Sequence, residues 1–170
     1  GIFLPFLETP LESIVNMMRV NYLGTVHLTK AVLPHMLERN QGHIVNIASM
    51  AGKVGTAKTA AYSATKHAVL GFTNSLRQEL RGTGIHILAV NHGPVDTAFF
   101  DQADPKGNYV KNVGRWMLKP EQVASRTLEA MARGKTELNL PRTMAIGAKL
   151  YQLFPHVIDK YFYRLINKKS

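Results

Sequence analysis

The sequence predicts an open α/β fold built on a parallel sheet. Helical and strand-like segments alternate along the chain. The strand-like ones are short and almost continuously apolar, as strands covered on both faces are. No internal repeat, low-complexity tract or linker interrupts the 170 residues, a length that buries the core of a single domain.

The first helix is announced by "TPLESIVNMMRV". Thr9 is placed to cap it, Pro10 suits the first turn, and Glu12 completes a capping box. Leu11, Ile14, Val15 and Met18 recur at helical spacing, and the pattern resumes through Val26, Ala31, Val32 and Leu37, which predicts one long or kinked helix over 10–39. Asn21 interrupts it at "VNYLG", because an amide is a mediocre helix former and Gly24 follows. Asn40, Gln41 and Gly42 end it.

"HIVNIAS", 43–49, reads as a buried strand with Ser49 at its carboxyl end, the edge at which open α/β sheets place their sites. A loop over 50–59 leads to a helix over 60–81, closed by Gly82 and Gly84, with Ala61, Ala64, Ala68, Val69 and Phe72 as its apolar face. "IHILAV", 85–90, is a second buried strand. From Asn91 to Lys119 the sequence predicts a loop rich in Gly, Pro and Asp, and loops that long inside compact domains are commonly functional. Pro120 opens another helix, to about Arg133, and "TELNL" reads as a third strand. The remainder is aromatic-rich and partly helical.

Composition narrows the classes of function. There is no cysteine, which excludes disulfides and thiolate zinc sites and suits a reducing cytosol. A cytoplasmic location is therefore expected. The 21 Lys+Arg against 11 Asp+Glu give a formal charge of +10, which favours anionic company. Basic runs interleaved with stacking aromatics are missing, so nucleic acid is not expected as a partner. The seven histidines form no HExxH or other metal spacing, and no Gly-x-Ser-x-Gly surrounds Ser49 or Ser63, which argues against a metal site and a serine hydrolase.

Within "AAYSATKHAVLGF", residues 60–72, Tyr62 and Lys66 stand one helical turn apart. A phenol titrates near 10 and is a poor acid at neutral pH, but a neighbouring ammonium favours the phenolate. Small neighbours Ala61, Ser63 and Ala64 leave the phenol accessible. The pair therefore reads either as a tunable proton donor or as a core tyrosine beside a solvated lysine.

Four segments in order settle that choice by resemblance. "VNYLGTVHLTKAVLPHM", "GHIVNIASMAG", "YSATK" and "VNHGPVDTAFF", with Ser49 thirteen residues before Tyr62, resemble the short-chain dehydrogenase/reductase family over residues 1 to about 140. The resemblance implies a Rossmann-like doubly wound parallel sheet. It implies hydride transfer between NAD(P)(H), with NADP slightly favoured, and a carbonyl or secondary alcohol that is a small molecule. Asn21, Ser49, Tyr62 and Lys66 are the catalytic residues it implies. Tyr62 delivers the proton, Ser49 steadies the carbonyl oxygen, Lys66 holds the ribose and acidifies the phenol, and Asn21 holds a water behind Lys66. Tyr62, Lys66, Gly93, Pro94, Val95 and Thr97 are the implied cofactor contacts, with Val95 backbone groups on the carboxamide and Thr97 on a phosphate. Ser49, Phe99 and Phe100 are the implied substrate contacts, in a loop that also holds Trp116, Met117 and Leu118 and suggests an apolar substrate. The family's long helices imply a homodimer or homotetramer.

The sequence also departs from the family. Its Gly-rich phosphate loop and Asn-Asn-Ala-Gly segment are not found, since "GTG" at 82–84 precedes a strand. The expectation is that residues 1–141 form the C-terminal part of the catalytic domain. About 80–90 residues are then missing upstream, and the fragment alone binds NAD(P) poorly and is inactive. His92 stands where the family has proline. Residues 142–170 form a basic aromatic extension with six Lys+Arg and one acidic residue, read as a lid, an oligomer contact or a membrane-surface helix. Two other functions stay open: a non-catalytic scaffold of the same fold, and a basic membrane-associated module.

Overall fold

The computed structural model describes residues 1–166, with side chains to Tyr161. Helices α1 (Leu11–Met18) and α2 (Gly24–Glu38) are joined by a turn of π-helix, Arg19–Leu23, around Asn21. Strand β1 (Gly42–Ile47) follows, then α3 (Ala60–Glu79) and β2 (Ile85–His92). Two short helices, α4 (Phe99–Ala103) and α5 (Asn108–Val113), precede α6 (Pro120–Ala132), β3 (Glu137–Leu140), α7 (Arg142–Leu153) and α8 (Pro155–Ile166). The basic end at Lys168 and Lys169 lies outside the described residues, as do the side chains of Phe162 and Tyr163.

The three strands are parallel in the order β1-β2-β3. Helices cover both faces. On one, Leu76 of α3 and Leu80 just past its end pack with Ile44, Ile85 and Ile87, and Leu33 and Met36 of α2 close the cluster. On the other, Ala130 of α6 packs on Leu88 and Val90 with Val123, Val45 and Leu138 around it. This is the doubly wound arrangement that alternating elements predict. Gly84, entering β2, lies so close to the turn after α2 that an added Cβ would meet the Asn40 carbonyl oxygen. Its N–H donates to Asn40 Oδ1 at 2.8 Å, which locks the starts of β1 and β2 together.

Several expectations are corrected. Thr9 does not cap α1: its hydroxyl donates to the Pro5 carbonyl (3.0 Å), Pro10 takes the N-cap position, and no capping box forms. A hydroxyl one residue off the cap finds a carbonyl of its own turn instead. Only β2 is buried along nearly its whole length, whereas β1 alternates, with Ile44 and Asn46 inside and His43 and Ile47 exposed. The predicted loop 91–119 contains α4, α5 and a 3-10 turn at Gly114–Trp116. On α3 the buried face is Tyr62, Thr65, Val69, Thr73 and Leu76, and Ala64 is exposed. Apolar periodicity misplaced that face because hydroxyls buried with partners cost little.

Candidate active site

The carboxyl ends of β1 and β2 open into one cavity of about 1210 Å³ with largely apolar walls. Asn21, Ser49, Tyr62 and Lys66 all line it, although they come from three separate segments. Gly93, Pro94, Val95, Thr97, Phe99 and Phe100 border it too.

Ser49 sits two residues beyond β1 and caps the 3-10 turn Met50–Gly52, its Oγ accepting from the Ala51 N–H at 3.1 Å. The Ser49 hydroxyl donates to the His92 carbonyl at 3.3 Å, a long bond that spans the ends of β1 and β2. The turn presses against α3 at Gly52, where an added Cβ would lie 2.7 Å from the Lys66 carbonyl oxygen. Only a glycine lets Ser49 come this near Tyr62. That signal was present in the sequence as the Gly three residues after Ser49.

Tyr62 and Lys66 stack as helical spacing requires, with the Lys66 Nζ 5.9 Å from the Tyr62 ring centroid. The amine donates to the Ile47 carbonyl at 2.9 Å. Burial lowers the Lys66 pKa to about 8. Here the expected electrostatics are corrected. The phenol of Tyr62 titrates above, not below, its ordinary value, because burial outweighs the hydrogen bond to Ser49 that favours the phenolate. Phe3 and Phe99 cover the ring, at centroid distances of 5.8 and 5.7 Å. A phenolate beneath those rings would lose more hydration than its neighbours return.

Asn21 lies in the π turn, and its Nδ2 donates to Thr65 Oγ1 at 3.0 Å. The Thr65 hydroxyl in turn donates to the Tyr62 carbonyl (2.8 Å), so Asn21 is tied to the turn of α3 that carries Tyr62. The carbonyl of Asn21 accepts from the Thr25 hydroxyl at 2.8 Å. Thr65 went unnoticed in the sequence, where it reads as one of the unspecified residues between Tyr62 and Lys66.

In the segment after β2, Val95 pairs with Leu118 as an isolated bridge. That bridge uses the Pro94 carbonyl and the Asp96 N–H (both 2.9 Å), and Val95's own N–H and carbonyl take no part in it. Thr97 is exposed, and its Oγ1 accepts from the Phe99 N–H at 3.4 Å. Phe100 is buried against Phe99 and Tyr109, whereas Phe99 is half-buried over Tyr62. Burial raises the Tyr109 phenol to about 12, with Tyr62 and Asp104 adding to it.

The short chain dehydrogenase family model matches residues 1–108. The Dehydrogenase/reductase SDR family protein 7-like of Drosophila melanogaster is 30% identical over 168 residues, 96% of this chain and 50% of that protein. The mouse Dehydrogenase/reductase SDR family member 7 is 47% identical over 92 residues, 54% of this chain and 27% of the relative. Among solved structures, the closed form of serine dehydrogenase complexed with NADP+ superposes with a TM-score of 0.72 at 32% identity, covering 84% of this chain and 62% of that one. The chain spans about half the length, or less, of these curated relatives. No helix among the described residues is long and apolar enough to cross a membrane. A matched family model over most of the chain, a parallel sheet wound on both faces and a Tyr-Lys pair at its carboxyl edge agree: this protein belongs to the short-chain dehydrogenase/reductase family.

Proposed function

We propose that the protein transfers hydride between NAD(P)(H) and a carbonyl or secondary alcohol, with Tyr62 as proton donor and acceptor. The observation that carries this reading is the convergence of Asn21, Ser49, Tyr62 and Lys66 on one cavity. The cofactor supplies the hydride when bound; solved neighbours carry NADP or NAD, and NADP is slightly favoured.

The residues present fit the ribose end of such a cofactor. An ammonium has three donors, and Lys66 commits one to the Ile47 carbonyl, which leaves two N–H groups for a pair of adjacent hydroxyls. The N–H of Val95, which its bridge leaves aside, and its carbonyl, which takes only a long bond from the Thr97 hydroxyl (3.5 Å), suit a carboxamide. The described residues hold no Gly-rich turn between a strand and a helix, so weak cofactor binding is expected of this chain alone.

The Tyr62 phenol, protonated at neutral pH, gives its proton to a carbonyl oxygen as that oxygen gains charge, and burial makes it a weaker acid than an exposed phenol until that charge develops beside it. The Ser49 hydroxyl, held loosely by the His92 carbonyl, turns to hydrogen-bond the same oxygen. Asn21, through Thr65, fixes the turn of α3 from which Tyr62 projects and acts as a positioning residue. Phe99 and Trp116 on the cavity wall favour an apolar substrate. Leu11, Val20 and Leu28, exposed along α1 and α2, supply the apolar surface for a dimer or tetramer through these helices. The test is Tyr62→Phe in the intact protein. Carbonyl reduction is expected to fall by about 10²–10⁴-fold in kcat while cofactor affinity holds. Equal turnover by the two proteins would overturn the reading.

A further inference from the structure

His92 occupies the place where the family resemblance leads to proline, and the proton relay gives its side chain no task. It is the last residue of β2, and its main-chain carbonyl is the acceptor for the Ser49 hydroxyl. The imidazole therefore hangs from the residue that touches the oxygen-binding serine. His92 borders the same cavity as Ser49, Tyr62 and Lys66.

Its tautomer follows from one contact. Nδ1 lies 2.7 Å from the Gly93 carbonyl oxygen. A carbonyl oxygen only accepts, so Nδ1 carries the hydrogen and Nε2 carries the lone pair. Nε2 has no protein partner among the described residues. Burial and the nearby Lys66 amine lower the ring's pKa against the pull of the Gly93 hydrogen bond, so the ring is neutral at pH 7.

A neutral ring presenting a lone pair does not hold a carboxylate or phosphate. It accepts from an O–H or N–H. The groups around it are donors toward a reacting oxygen: the Ser49 hydroxyl, the Tyr62 phenol and the Lys66 ammonium. The cavity walls include the apolar Phe99, Trp116 and Met144 and, among their polar groups, the hydroxyls of Tyr109, Thr143 and Tyr151, none of which hangs from the residue that holds Ser49. We propose that His92 is a specificity-determining residue whose Nε2 accepts a hydrogen bond from a hydroxyl next to the reacting carbonyl. The preferred substrate is then an otherwise apolar α-hydroxy ketone, or the vicinal diol in reverse. Proline at this position has no such acceptor. A site built around a hydrogen bond also disfavours the analogue that leaves its partner unpaired. The proposal rests on the hydride-transfer reading above.

The experiment compares reduction of 2-hydroxyacetophenone and of acetophenone by the intact protein with NADPH and with NADH. The readout is the ratio of the two kcat/KM values, which cancels any general loss of enzyme. His92→Phe is expected to lower the hydroxy-to-parent ratio about 3–10-fold, the worth of one hydrogen bond. His92→Asn, whose amide oxygen keeps an acceptor, is expected to restore part of the ratio. An unchanged ratio in His92→Phe overturns the proposal, and so does an equal loss of both ketones in both variants, which marks a purely structural role. If neither ketone is reduced but aldehydes are, with turnover that needs Tyr62, the proposal falls and the hydride-transfer reading stands. No turnover of any carbonyl removes that reading, and the role of His92 with it.

Discussion

The two halves of α3 solve opposite problems with one continuous helix. Its C-terminal half gives Phe72, Leu76 and, just past the end, Leu80 to a cluster with Ile44, Ile85 and Ile87. Its N-terminal half buries Tyr62, Ser63 and Thr65 ahead of Val69, with Leu70 and Thr73 at the junction between the halves. Each hydroxyl of the buried Ser and Thr residues is satisfied: Ser63 by Thr59 (3.0 Å), Thr65 by the Tyr62 carbonyl (2.8 Å), Thr73 by the Val69 carbonyl (2.6 Å). The lower half stabilises the fold by excluding water. The upper half spends stability to hold a phenol and an amine at fixed positions beside a cavity.

That contrast breaks most visibly at its two extremes. Tyr62→Phe has the largest expected effect, on turnover and not on folding. Leu76→Ala is its mirror image. Truncating this buried side chain is expected to cost about 2–5 kcal/mol of stability. Denaturant unfolding reads the loss, and kcat per folded molecule should not change.

The boundary between the halves is a buried amide–hydroxyl pair, Asn46 Nδ2 donating to Thr73 Oγ1 at 2.9 Å. Thr73→Val leaves the amide unpaired and should destabilise by about 1–3 kcal/mol. The double variant Asn46→Leu/Thr73→Val should recover most of that, since both polar partners are then gone. A double variant no better than the single one would show that shape, not hydrogen bonding, joins the halves.

The smallest effect sharpens the claim that the upper half sacrifices stability. Burial holds the Lys66 amine at about 8 in the fold, against 10.5 when unfolded. Between those values the folded chain binds fewer protons than the unfolded one, so wild-type stability rises with pH across that interval. Below pH 8 the cost of the buried charge is felt in full. Lys66→Met is therefore expected to be about 1–2 kcal/mol more stable at pH 7, after discounting for the solvent that still reaches the amine. The advantage should shrink as pH rises from about 8 and vanish near 10.5. A difference that is flat with pH would assign the effect to packing.

The particular elements show why some features were legible in the sequence and others were not. Strands β1, β2 and β3 fall within a few residues of the segments that predict them; β2, buried along nearly its whole length, leaves the continuous apolar run of a strand covered on both faces, whereas β1 alternates and β3 has no buried residue. The break at Asn21 was visible as a poor helix former. Its form, one π turn inside an otherwise continuous helix, follows from packing against α3 and the bond to Thr65. Thr9 as a cap and alanines as the core face of α3 were reasonable local readings that tertiary hydrogen bonds overrode.

The sequence by itself determined the order of elements and the chemistry available at the carboxyl edge, because periodicity and residue type are local properties. It placed Ser49, Tyr62, Lys66 and Asn21 in register without stating their surroundings. The tertiary structure alone decided how those groups titrate and what they touch. Phe3 and Phe99, distant in the chain, cover Tyr62 and hold its proton on, and the fold brings the His92 imidazole beside the same site. The reason is that hydration is lost only where remote segments meet, and no window of sequence records that loss.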